Sequence, residues 1–269
     1  MLLLQRDMRE NQTASRETMA AYRWAVLRGE RTQWFESTQM LNGELALSPS
    51  DLVVGSVQCV SAAMQQLGVD VPGPDYYPES LQHHLHRKVA KTTVADVRSR
   101  LAAGETLFVK SHAWKLLTGC VLTPSERDKL NALCETEALW ESEPVTFLAE
   151  YRLYVLHDQV RAVCQYGEAE DTALDVPQYE QITDGISCLN QTHPRAAYVI
   201  DWGMLPDGRM ALVEVGDAWS IGCYPGIAAD TYTECLWARW RELMSTRPFV
   251  EGNALDARLP NGDSHRADE

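Results

Sequence analysis

Apolar residues recur along this chain with two periods, and the switches between them predict the order of elements. Leu2–Gln5 is a short apolar run and reads as a strand. From about Ser15 to Arg28, Met19, Tyr22 and Val26 fall at i, i+3 and i+7, the stripe of a helix that Gly29 can stop. Thr32–Phe35 reads as a second strand. Ser56 then caps a helix carrying Val57, Val60, Met64 and Leu67 and ending at Gly68. Strand–helix alternation of this kind predicts a small α/β unit up to about residue 75. The breaker-rich segment Pro72-Gly-Pro-Asp-Tyr-Tyr-Pro78 marks its boundary.

The second part follows another plan. Thr92 or Thr93 caps a helix with Val94, Val97 and Leu101, and Gly104 ends it. Thr106–Lys110 is a strand. Thr123-Pro124-Ser-Glu126 is a capping box with proline at the first helical position. Strands are expected at Thr146–Leu148 and Glu150–His157, and a last helix at Ala229–Met244. The polar tail 251–269 is expected to be disordered. The resulting division is an N-terminal α/β domain at 1–75, a body of α+β subdomains at 76–250, and the tail.

One hairpin is informative. Asp201 lies in the apolar run Ala197–Gly203 and Glu214 in Met210–Gly216, with Pro206-Asp207-Gly208 between them. Asp-Gly between apolar runs signals a tight turn. With Asp207 and Gly208 as a two-residue loop, Asp201 and Glu214 face each other across the strands. Two carboxylates so placed repel unless they share a proton, a basic group intervenes, or a divalent cation sits between them. A longer loop or a bulge would break this register.

Composition narrows the classes. The chain has 269 residues, of which 45% are hydrophobic, and is long enough for one large domain or two small ones. Lys and Arg number 24 against 38 Asp and Glu, a net charge of −14, which argues against an extended nucleic-acid surface. Met1–Leu4 is too short for a signal-peptide core or a membrane span, so no membrane partner is expected. Seven cysteines without a CxxC pair point to reduced thiols and a cytoplasmic protein.

Other residues bear on chemistry. Lys110 ends an apolar strand, and Lys115 follows in the loop Ser111–Gly119. Mobile point charges so placed suit phosphates, although solvated surface lysines are the plainer reading. Glu150, Arg152 and Tyr154 share one strand face, where an arginine can clamp a phosphate and a Glu–Arg surface pair is the alternative. His83, His84 and His86 form His-His-Leu-His, but no nearby cysteine or acidic residue completes a metal site, so a histidine-bearing loop or helix face is expected. No GxxxxGK[ST], GxGxxG or GxSxG occurs.

The order Phe108-Val109-Lys110, Lys115, Glu150-Tyr-Arg152, Asp201 and Val213-Glu214-Val215 resembles the ATP-grasp superfamily. It is most similar to the bacterial and phage clade named for one arginine and two lysines. Leu52-Val-Val-Gly-Ser-Val57, Tyr77-Pro-Glu-Ser80, Ser142-Glu-Pro-Val145 and Asp217-Ala-Trp219 agree with it, and the likeness spans about residues 50–225. The resemblance implies an ATP-grasp fold at 76–250 with ATP between two α+β subdomains. Lys110, Lys115 and Lys91 would hold phosphates, and Ser142, Glu143 and Val145 would form the adenine hinge. Glu150 and Arg152 would line the site, with Arg152 and Lys115 acting on the transferring phosphoryl group. Asp201 and Glu214 would hold Mg²⁺, with Asp217 as a further candidate ligand.

The activity implied is ATP-dependent ligation of a carboxylate to an amine through an acyl phosphate, on a small-molecule or peptide substrate. The N-terminal unit would help form the substrate site. The family pattern is Glu-x-Asn, and Gly216 stands where the asparagine is expected. An ATP/Mg-binding assembly or chaperone-like factor without turnover is therefore the second reading. A metal-binding α/β domain without ATP is the third, and it leaves the lysines and Arg152 unexplained.

Overall fold

The computed structural model describes residues 1–6, 14–114, 116–166 and 179–246. Lys115 and the tail 251–269 lie outside the described residues. The chain begins with β1 (Leu2–Gln5), α1 (Arg16–Arg28), β2 (Thr32–Phe35), α2 (Ser37–Leu41), β3 (Leu52–Val54) and α3 (Val57–Gln66). The three strands form a parallel sheet in the order β2-β1-β3. Leu2, Leu3 and Leu4 are all fully buried, as a central parallel strand covered on both faces requires. Ser15 caps α1 and Ser56 caps α3 through their side chains, and Gly29 ends α1 in the left-handed conformation.

The α3 stripe lies where the sequence puts it, with Val57, Val60, Met64 and Leu67 buried. The α1 stripe does not. Thr18, Ala20, Ala21, Trp24 and Ala25 are its buried residues, while Val26 is 57% exposed. Small residues on α1 admit close approach of another helix, and an apolar-only count overlooks them.

The middle of the chain supplies β4 (Val89–Thr93), α4 (Val94–Ala102), β5 (Leu107–Ser111), β6 (Cys120–Leu122) and β7 (Ala138–Ser142). These strands make an antiparallel sheet ordered β4-β7-β5-β6, with α4 packed on one face. The capping box at Thr123 and Glu126 forms, but it starts a 3₁₀ helix over Pro124–Leu130.

The last part contains β8 (Ala149–Leu156), β9 (Gln159–Tyr166), α5 (Tyr179–Thr192), β10 (Ala197–Met204), β11 (Met210–Asp217) and α6 (Ala229–Ser245). Its strands form a second antiparallel sheet, ordered β11-β10-β8-β9. The strand expected at Thr146–Leu148 is absent, and that segment is an extended connection into β8.

One face of this sheet buries Leu153, Val155, Ile200 and Trp202 against Ile182, Ile186 and Leu189 of α5. The other carries Tyr154, Leu156 and Val199 into a core shared with β1, α1, α3 and α6. α6 packs against β8 and β10 and against α1, which in turn packs against β1. The observed architecture is a pair of antiparallel sheets with their helices, an α+β arrangement, preceded by a small α/β unit.

Candidate active site

The hairpin β10–β11 brings Asp201 and Glu214 opposite each other, as expected, but by a different route. Leu205 and Arg209 close the turn with a backbone hydrogen bond, so the loop has three residues, Pro206, Asp207 and Gly208. Gly208 takes the left-handed conformation such a loop needs at its last position. The loop thus shifts the register by one. A bulge at Val213 shifts it back, because Trp202 pairs with Leu212 while Asp201 pairs with Glu214.

Arg87 holds the bulge. Its guanidinium donates to the carbonyl oxygens of Leu212, at 2.7 Å, and Val213, at 3.1 Å. Successive carbonyls of a regular strand point to opposite sides, so one guanidinium reaches both only where the strand is bulged. Sequence reasoning missed Arg87, whose partners lie more than 120 residues away.

Asp201 pairs with Arg152 on its other side, which makes Arg152, Asp201 and Glu214 one row across three strands. Arg152 donates from Nε to Asp201 Oδ1 at 2.8 Å and from Nη2 to Oδ2 at 2.6 Å. Both side chains are buried. Burial alone lowers the Arg152 pKa, but the Asp201 carboxylate outweighs it and the net direction is up. The Arg152 guanidinium also lies over the Tyr224 ring, 4.4 Å from its centroid.

Tyr166 donates its hydroxyl to Glu150 at 3.0 Å and lies 3.3 Å from Asp201. Burial first, then Asp201 and Glu150, raise the Tyr166 pKa, so the phenol remains a donor. Glu150 is itself pushed up by burial.

Lys110 comes from the other antiparallel sheet and forms an ion pair with Glu214. Its ammonium also sits over the Tyr76 ring, 3.5 Å from the centroid. Burial is the main influence on Lys110 and pushes it down to about 7. Asp201 opposes the fall, and Arg152 adds to it. Of the three ways to relieve the facing carboxylates, the structure shows intervening basic groups.

Lys91 and Lys110 both pair with Trp140 in β7, so all three share one face of their sheet. Lys91 Nζ lies 5.2 Å from the centre of a Trp140 ring. Ser142 ends β7, with its hydroxyl on the Glu143 carbonyl, and Val145 follows in the connection to β8. Glu143 accepts from the Lys88 backbone N–H at 3.2 Å.

Asp217 is not brought to this site. Both its oxygens accept from Arg239 of α6, at 2.7 and 2.6 Å, and the pair is buried. The expectation of Asp217 as a metal ligand is corrected accordingly. Gly216 is the residue beside the row, and a Cβ there would lie 2.8 Å from Val199 Cγ2.

A cavity of about 300 Å³ opens at the ends of β1 and β3, lined by Gln5, Glu17, Ser56, Ser220 and Gly222. A Cβ at Gly222 would be 3.4 Å from Arg152 Nη1, so this cavity adjoins the cationic end of the row.

Two antiparallel sheets that face lysines and an arginine toward paired carboxylates define a nucleotide-grasping fold, and the chain belongs to the ATP-grasp family. The match is to the ATP-grasp domain, family 2 of the clade named for one arginine and two lysines, over residues 84–235. A RimK domain ATP-grasp protein from Sphaerobacter thermophilus is 12% identical, with 88% of this chain and 99% of that one covered at a TM-score of 0.52. D-cycloserine synthetase DcsG is also 12% identical, with 89% and 99% covered at a TM-score of 0.51. Macrocyclase MdnC of Microcystis aeruginosa, bound with precursor peptide MdnA, is 13% identical, with 91% and 99% covered at 0.47. No curated protein matches the sequence. Among the described residues, no helix is long and apolar enough to cross a membrane.

Proposed function

We propose that this protein is an ATP-dependent carboxylate–amine ligase working in the cytoplasm on a small-molecule or peptide substrate. The carrying observation is the row Arg152–Asp201–Glu214 met by Lys110 from the facing sheet. A buried arginine and a half-buried lysine, each paired with a carboxylate, form a charge-balanced set that a polyphosphate with its cation can enter. On ATP binding, Lys110, Lys91 and Lys115 take phosphate oxygens. The segment Ser142–Val145 contacts adenine, and Glu150 lines the site beside Arg152. The division that suits this role is an N-terminal domain at 1–75 and an ATP-grasp domain at 76–250.

The residues present fit Mg²⁺. Asp201 and Glu214 are hard oxygen donors placed opposite each other, and the thiol of their row, Cys164, lies beyond Arg152 on β9. Mg²⁺ bound there supplies neutralisation of phosphate charge. The chain's own cations do the rest. Arg152 stabilises the phosphoryl group as it passes from ATP to the substrate carboxylate, and Lys110 holds the released ADP phosphates. An amine then displaces phosphate from the acyl phosphate and forms the amide. The cavity beside Arg152 suits the substrate that carries this amine or carboxylate.

Gly216 supports a second reading, an ATP/Mg-binding assembly or chaperone-like factor without turnover. Val199 occupies the space a side chain at 216 would need.

Thermal stabilisation by ATP with and without Mg²⁺, followed by ADP release with pools of amino acids and peptides, tests both. Mg²⁺-dependent stabilisation with acceptor-dependent ADP release is expected for the ligase. Stabilisation without ADP release under any acceptor selects the binding protein, and no stabilisation rejects both. Asp201→Asn and Glu214→Gln should each weaken the Mg²⁺-dependent part at least tenfold, and undiminished Mg-ATP binding in both overturns the metal assignment.

A further inference from the structure

On the sheet face opposite Asp201, the 3₁₀ helix Glu79–His84 meets α5. His83 Nε2 lies 3.6 Å and His84 Nε2 3.3 Å from the same oxygen, Asp184 Oδ2. The three ligand atoms all lie within 4.8 Å of one another. The centroids of the adjacent rings are 3.9 Å apart, and the rings are tilted by 40°. The acidic partner that the local sequence lacks thus arrives from about 100 residues downstream.

We propose that His83, His84 and Asp184 form a binding site for a divalent transition-metal ion of the zinc class. Tetrahedral zinc has ligand bonds of about 2.0–2.1 Å, so its ligand atoms stand about 3.4 Å apart. The two separations to Asp184 Oδ2 bracket that value.

A second observation is independent of the spacing. His84 is only 6% exposed, and its buried Nε2 faces Asp184 Oδ2 without meeting hydrogen-bond geometry. A buried polar atom left so is costly, and an ion bound between it and Asp184 would satisfy it. Trp202 holds the ring in place, edge-on at 5.1 Å. A Cβ at Gly185 would sit 2.7 Å from Trp202 and 3.5 Å from His84 Nε2, so glycine there keeps the approach open. His83 and Asp184 are exposed, which gives the ion an entry path and leaves its remaining position to water. Two imidazoles and one carboxylate favour zinc, nickel, copper or cobalt over magnesium, so the site would not compete for the ion at Asp201. The bound ion would clamp the segment leading to Arg87 against α5.

The test uses the full-length chain after chelator treatment. Calorimetry with Zn²⁺ should show one equivalent bound, and Co²⁺ should give a d–d spectrum without a thiolate charge-transfer band. His83→Gln and Asp184→Asn, both at exposed positions, should each weaken Zn²⁺ binding at least tenfold while keeping the circular dichroism of the parent. His84→Gln should also lose binding, but it alters a buried position and is secondary. No saturable Zn²⁺ binding, undiminished binding in both exposed variants, or a thiolate band that assigns the ion to cysteine would each overturn the proposal. Stabilisation by Mg-ATP is read separately, so failure of this site leaves the ligase reading untouched.

Discussion

At the scale of residues, Arg152 and Asp201 combine a structural role with a proposed chemical one. Their pair is buried and bidentate, and removing one partner leaves an uncompensated buried charge. Arg152→Met should therefore cost about 3–5 kcal/mol in urea unfolding. The double variant Arg152→Met/Asp201→Leu should recover most of that loss while still failing to bind Mg-ATP. A double variant as unstable as the single one would show that the pair does not act as a unit.

Lys110 makes a prediction about pH. Its folded-state pKa, about 7, lies below its ordinary 10.5 because of burial. Between those values the unfolded chain holds the proton more tightly, so stability should rise with pH through this window. Parent minus Lys110→Met should rise by about 1–3 kcal/mol from pH 7 to 10.5, with a flat difference below pH 7. A flat difference across the whole range would contradict the shift. Strand parity placed Arg152 on one face with Glu150 and Tyr154, hairpin register placed Asp201 opposite Glu214, and Lys110 was singled out by its position at a strand end. Asp217 and Arg87 were not readable in this way. Their roles depend on partners in α6 and β11 that no local pattern reveals.

At the scale of elements, the site depends on an irregular strand. Between Asp201 and Glu214 a three-residue loop and the Val213 bulge offset each other, and Arg87 fixes the bulge. Arg87→Leu should leave two carbonyls without their donor at a cost of about 1–3 kcal/mol. Amides of 211–215 should then exchange faster by hydrogen–deuterium measurement, and Mg-ATP stabilisation should fall although no phosphate-binding residue has changed. Unaltered exchange there would mean that the bulge holds itself. The facing of Asp201 and Glu214 agrees with the count for a two-residue loop only because the bulge offsets the longer loop. The bulge was not legible, since its cause is a long-range donor. The strand expected at Thr146–Leu148 failed for a related reason. Phe147 packs over Gly203, where a Cβ would lie 2.2 Å from it, and in this segment Leu148 donates its backbone N–H to the Met204 carbonyl. β9 escaped notice because an irregularity opposite Tyr154 and Val155 breaks its period-two pattern, leaving Val160 and Val163 exposed.

At the scale of the molecule, α6 decides how the parts depend on each other. Tyr232, Leu236, Trp240 and Leu243 of α6 share one core with Leu2–Leu4, Trp24 of α1 and Val199 of β10. Trp240 is fully buried and donates its indole N–H to the Pro49 carbonyl at 3.2 Å. The N-terminal sheet thus buries its apolar face against the last helix described, more than 180 residues away along the chain. Composition and breakers placed a boundary near residue 75, but they are blind to such return packing.

Two consequences can be measured. Trp240→Ala should cost about 3–5 kcal/mol, and should loosen the N-terminal sheet and β10 together. The fragment 1–75 produced alone lacks the α6 side of its core, so it should lack a cooperative thermal transition and should bind a hydrophobic dye. If the fragment melts cooperatively with native-like circular dichroism, the N-terminal unit has a sufficient core of its own. The cavity between Gln5, Ser56 and Gly222 would then lie between bodies free to move. If the fragment fails to fold, that cavity is a fixed feature of one continuous core, and Arg152 meets its substrate at a rigid wall.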